Sequence, residues 1–158
     1  MTVPSRAQNT VAPVLVCFAV REEAQFFELP DNSTTDALIT GIGPQRASQA
    51  VTGYLAAHQP QLVLTCGFAG GLNSKHELGQ VLYDDADAGP FRDRFGGTDV
   101  IPAKFVHSNR VVVTASEKAE LYRTSGADAV EMESSTIVTI CRERGIPVAI
   151  VRVNARDW

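Results

Sequence analysis

Runs of basic residues, long apolar runs and metal-type clusters of cysteine or histidine are all missing from this 158-residue sequence. Without a run of five or more Lys and Arg, and with a formal net charge of -4, the chain is not expected to bind nucleic acid. Its apolar runs fall far short of the roughly 20 residues that span a bilayer, so no membrane span is expected. Three cysteines, Cys17, Cys66 and Cys141, sit apart in apolar segments with no ligand spacing; no metal is expected, and reduced thiols suit a cytoplasmic protein. Neither glycine-rich stretch completes a cofactor signature. Gly67-Phe68-Ala69-Gly70-Gly71 is not followed by Lys and Ser/Thr, and GIGPQR at 41–46 has Arg46 where a dinucleotide fingerprint needs a third glycine. No cofactor is therefore expected. A nucleophile elbow of the GxSxG type is also lacking. The first 20 residues carry one Arg and an apolar run that leads straight into Arg-Glu-Glu, with no small-residue cleavage site, which reads as a loose tail over 1–12 rather than a secretory signal.

What the sequence does have is core material: 44% hydrophobic and 20% charged residues, enough for one domain over 13–158. Strand-like and helix-like segments alternate along it. Continuous apolar runs at 14–20, 62–66 and 148–153 predict strands buried on both faces, with shorter strands at 37–40, 81–83, 110–113 and 127–130. Ala47, Ala50, Val51, Tyr54 and Leu55 recur at helical spacing after Pro44, and Ile137, Ile140 and Cys141 do so before Gly145. Thr114 to Glu117 has the form of a capping box that opens a short helix. The Asp-, Gly- and Pro-rich segment 84–109 is expected to be an irregular excursion with a short strand near 103–106. The alternation predicts an α/β fold with a largely parallel sheet, whose ligands gather at the carboxyl ends of the strands.

Three stretches fall at such ends. In 127-ADAVEMESSTI-137, Glu131 and Glu133 flank Met132 where a strand becomes a helix. A carboxylate there can accept hydrogen bonds from vicinal hydroxyls and stabilise positive charge on a sugar, or it can simply cap the helix. Glu22 and Glu23 follow the first strand, where a carboxylate can act as general base on water or lie in a solvated first turn. Phe68, Ala69 and Gly70 lie in a glycine-rich turn that lets backbone approach a ligand. His58, His76 and His107 are scattered without evident partners and read as surface residues.

Taken in order, FAVREEAQFF at 18–27, LITGIGPQRASQAV at 38–51, LVLTCGFAGGL at 62–72, GADAVEMESSTI at 126–137 and IPVAIVRV at 146–153 resemble the nucleoside phosphorylase and nucleosidase family. The methylthioadenosine/S-adenosylhomocysteine nucleosidases and compact hopanoid-associated nucleosidases are the most similar branches. The resemblance implies a three-layer α/β/α sandwich with a mixed, largely parallel central sheet. It also implies a purine nucleoside or thionucleoside substrate and a homo-oligomer. It casts Glu133 as the residue that binds the ribose hydroxyls, Met132 as the one that packs beneath the sugar, and Glu23 as the one that polarises the attacking water. Such a set suits hydrolysis of an N-ribosidic bond. Phosphorolysis, with phosphate as co-substrate, is the alternative. It is less favoured because the phosphate-holding arginines of the phosphorylases fall at Leu62 and in the Arg-Glu-Glu segment, leaving Arg46 as the one substitute.

The sequence also departs from the family. The Asp that protonates the leaving purine falls at Arg156, with Asp157 one residue beyond it. The family's terminal helix has no counterpart, the segment between Tyr83 and Arg110 is short, and Phe68 stands where a Ser is common. A chain cut short relative to the family, and a nucleoside-binding form without turnover, are the expectations these departures raise.

Overall fold

The computed structural model describes residues 14–29, 34–84 and 92–155. Within them the order is β1 (Val14–Phe18), α1 (Arg21–Ala24), β2 (Thr35–Ile39), α2 (Pro44–Ala57), β3 (Leu62–Gly71), β4 (Val81–Asp84), α3 (Arg92–Phe95), β5 (Ile101–Ala103), β6 (Phe105–His107), α4 (Ala115–Ser125), β7 (Ala129–Glu131), α5 (Ser134–Glu143) and β8 (Val148–Ala155). All the strands join one sheet. Its main path runs β2-β1-β3-β8-β4-β5, and β7 bridges β3 to β6. The pairs β1–β2, β1–β3, β3–β8, β4–β5 and β6–β7 are parallel, while β3–β7 and β4–β8 are antiparallel. This is the mixed, largely parallel sheet that the resemblance implies.

The central strands are largely apolar because both their faces are covered. Leu15, Cys17, Val63 and Ile150 pack into one core with Ala47 and Val51 of α2 and Ile137, Val138 and Cys141 of α5. Helix α2 starts where the sequence says it should. Gly43 takes a positive φ that a side chain would resist, and Pro44 supplies a preset first helical turn without a wasted N–H. Helix α4 has the predicted capping box, with Thr114 Oγ1 accepting the Glu117 amide and Glu117 returning to the Thr114 amide.

Two expectations are overturned. Residues 67–71 are not a glycine-rich turn: β3 runs through them, paired with Arg152–Ala155 of β8 and, at its end, with β7. Glycine serves here for space. A Cβ on Gly67 would lie 2.3 Å from Glu23 Oε1, and one on Gly71 would lie 2.4 Å from Asn154 Oδ1. Residues 110–113 are not a strand, although three consecutive valines favour one: no strand among the described residues pairs with them, and Val111 and Val113 stay exposed. Of the segment 84–109, the described residues from 92 onward hold α3, β5 and β6, the last two where a short strand is expected near 103–106. The 1–12 tail and Asp157 lie outside the described residues.

Candidate active site

At the carboxyl end of β1, across the middle of β3 and beside the β7–α5 junction, side chains from distant parts of the chain line one cleft too narrow for a water molecule, among them Phe18, Glu23, Thr40, Cys66, Glu133 and Arg152. It adjoins a wider cavity of about 380 Å³ that shares Phe18, Glu23, Cys66 and Arg152 and adds Phe26 and Phe68 as apolar wall.

Glu23 is held by main chain. Its Oε2 accepts the amides of Ala19 (2.7 Å) and Val20 (3.3 Å), and its Oε1 accepts the amide of Phe68 (2.9 Å). The first two donors lie just upstream, at the turn from β1 into α1. The third comes from β3, so the carboxylate bridges two neighbouring strands. Bare Gly67 makes that approach possible.

Glu133 is buried, with Oε1 accepting the Gly43 amide at 2.8 Å; no donor among the described residues reaches its Oε2. Burial pushes its carboxyl above the ordinary carboxylate range. The Gly43 amide opposes that, and the nearby charge of Glu131 adds to it. One oxygen is thus anchored and the other is available to a ligand hydroxyl.

Glu131 has a different task. Expected beside Glu133 as a substrate-binding residue, it is fully buried away from the cavity. Its Oε2 accepts the amides of Glu133 (3.1 Å) and Ser134 (2.8 Å) and Arg152 Nη2 (3.0 Å), while its Oε1 pairs with His107 Nδ1. The capping reading falls on Glu131 and the cavity-facing one on Glu133. Burial raises the Glu131 carboxyl, but His107 and Arg152 outweigh it and hold it at about 2. Arg152 also donates to Thr65 O (2.6 Å), Thr65 Oγ1 (2.9 Å) and Ser134 Oγ, so the buried cation is fully paired.

The remaining predicted residues divide. Phe68 lines the wider cavity, whereas Ala69 and Gly70 are buried within β3. Met132 lines neither cavity; it lies with Arg110, Val112 and Val130 on the other side of the β7–α5 junction. Asp157, proposed to protonate the leaving base, lies outside the described residues. His107 and His76 are not partnerless: the first pairs with Glu131, and the second lies 3.3 Å from Asp128 and 3.2 Å from Gln80. Arg152 is the residue that sequence reasoning missed. A lone cation inside the apolar run of β8 was its signal, because a buried charge demands a buried counter-charge. Among the described residues no cluster of three or more His, Cys, Asp or Glu could hold a metal.

Several known proteins are similar to this chain. The Phosphorylase superfamily model matches residues 86–155. A 5'-methylthioadenosine/S-adenosylhomocysteine nucleosidase of Anoxybacillus flavithermus is 24% identical, covering 77% of this chain and 67% of that protein. One of Halalkalibacterium halodurans is 28% identical, covering 73% and 64%. The chain spans about two thirds of the length of these curated relatives. Among solved structures, the Helicobacter pylori nucleosidase of the same name with butyl-thio-DADMe-Immucillin-A superposes at a TM-score of 0.78, with 17% identity over 92% of this chain and 85% of that one. A futalosine hydrolase mutant from Helicobacter pylori superposes at 0.76, with 17% identity over 92% and 90%. The resemblance read from the sequence is borne out, and the fold is that of the nucleosidases.

Proposed function

We propose that this chain, which has the nucleosidase fold, hydrolyses the N-ribosidic bond of a purine nucleoside or thionucleoside of the methylthioadenosine or S-adenosylhomocysteine kind. One observation carries the reading: Glu23 and Glu133, 110 residues apart in sequence (133 − 23), line a single cavity, each anchored through backbone amides. Glu133 Oε2 accepts from the ribose hydroxyls. Glu23 takes a proton from water as the water oxygen bonds to C1′, and the electron pair of the C1′–N bond leaves with the base. Both carboxylates lie close enough to the sugar to favour the oxocarbenium-like charge that develops as the bond breaks. The base needs a proton, and Asp157 is its proposed donor. Met132, behind the junction, supports the main chain beneath the sugar in this reading.

The chain is further proposed to work in the cytoplasm as a homo-oligomer. Hydrolysis is favoured over phosphorolysis because the arginine lining the cavity, Arg152, is already committed to Glu131, Thr65 and Ser134. A nucleoside-binding form without turnover is the second reading, favoured by Arg156 at the family's acid position.

The test is release of free base from methylthioadenosine, S-adenosylhomocysteine, adenosine and inosine, with and without phosphate, followed by chromatography. Release without phosphate is expected. Release only with phosphate would make the protein a phosphorylase, and binding without release would select the second reading.

A further inference from the structure

Building on the nucleosidase reading, we infer that His107 is a positioning residue for Glu133, acting through Glu131. Strand β6 pairs in parallel with β7 so that His107 stands opposite Glu131, and the Ser108 amide donates to Glu131 O at 2.9 Å. The imidazole meets Glu131 Oε1 through Nδ1. The other oxygen already serves three donors, the amides of Glu133 and Ser134 and Arg152 Nη2.

This division of labour fixes the carboxylate about its own axis. Oε1 has no donor besides His107 among the described residues, and with the imidazole in place the Glu131 side chain is 0% exposed, so His107 stands between that oxygen and solvent. Without His107 the carboxylate is free to turn Oε1 toward Arg152, and the amides of Glu133 and Ser134 then lose their fixed acceptor. Those amides set the main chain from which Glu133 reaches Gly43 and the cavity.

His107 cannot touch the nucleoside itself. Its side chain is 33% exposed, and it opens on a separate cavity of about 480 Å³ between β6 and α4. Ser108, Arg110, Glu117 and Glu120 face it there. On its inner side it meets Glu131, with Arg152 and Glu133 beyond. Neither cavity that holds Glu23 includes it.

The test compares His107→Asn, whose amide N–H stands near the position of Nδ1, with His107→Leu, which has no donor. Two readouts are taken on the full chain: the Glu133 and Ser134 amide signals by NMR with their hydrogen exchange, and the dissociation constant for methylthioadenosine. In His107→Leu both amides should shift and exchange faster, and the nucleoside should bind about tenfold more weakly, the scale of one lost hydrogen bond. His107→Asn should restore both. Amides unchanged in His107→Leu, or amides that move while affinity does not, overturn the proposal. Should His107→Leu fail to fold, the wild-type imidazole tautomer decides: a His107 ring without a proton on Nδ1 refutes the donation to Glu131. If the amides respond as expected and no nucleoside binds wild type, the His107–Glu131 link stands, whereas its service to a ligand and the nucleosidase reading both fall.

Discussion

Glu131 Oε2 accepts the backbone N–H of Glu133 at 3.1 Å, so one acidic residue fixes the main chain from which the other reaches the cavity. The two carboxyl groups also titrate in opposite directions, one held down by its partners and the other pushed up by burial. Each direction has a measurable consequence.

For Glu131 the folded value is about 2 against an ordinary 4.5. A depressed carboxyl stabilises the fold fully above the ordinary value and loses that contribution as pH falls from 4.5 toward 2. The contribution is on the order of 3 kcal/mol at neutral pH. Urea unfolding at pH 7, 5 and 3 should show, for wild type, a midpoint that this group leaves unchanged from pH 7 to 5 and lowers at pH 3. Glu131→Gln should be less stable at pH 7 and less sensitive across the same range.

Glu133 has the opposite sign. Its raised value means the folded chain holds the proton more tightly, so stability declines as pH rises from the ordinary value through the folded one. Once ionised, the buried carboxylate is a burden kept for binding. Glu133→Gln retains an acceptor for the Gly43 amide, and it should melt above wild type at pH 7 while losing measurable affinity for methylthioadenosine. A lower melting temperature would contradict this account.

Glu23→Gln should leave nucleoside affinity within a few-fold and lower the rate of base release by about 10²- to 10⁴-fold, the usual worth of a general base. Equilibrium binding alongside single-turnover release separates the two quantities.

Gly67 and Gly53 should respond oppositely to alanine. At Gly67 φ is +149° and the new methyl would collide with Glu23, so Gly67→Ala should lower both the melting temperature and base release. Gly53 sits exposed in α2 with no atom within 4 Å of its would-be Cβ. Gly53→Ala should stabilise by about 0.5–1 kcal/mol with base release unchanged. Thermal melts of the two variants check both expectations.

Much of the fold was legible because its signals are local. The Thr114 capping box, the Gly43-Pro44 start and the stripe Ala47, Val51, Leu55 need only their own neighbours. Where the deciding contact is remote, reading failed. Gly67–Gly71 looks like a turn until β7 and β8 pair with it, and Val111–Val113 looks like a strand until no partner arrives. The site divides the same way. Glu23 and Glu133 could be named from sequence. That Glu131 turns away from the cavity could not, because that depends on Arg152 and His107 reaching it from other strands.

The Glu131 carboxylate gathers residues 107, 131, 133, 134 and 152, and this bears on when the site can exist during synthesis. Contacts of such sequence separation form late. On the ribosome Glu131 emerges some twenty residues before the arginine that neutralises it, the difference between positions 131 and 152. A nascent chain ending before β8 therefore carries an acid that has no cation to be buried with. The cavity lined by Glu133 accordingly depends on β8, and a chain released before Arg152 would bring neither a capped α5 nor an oriented Glu133.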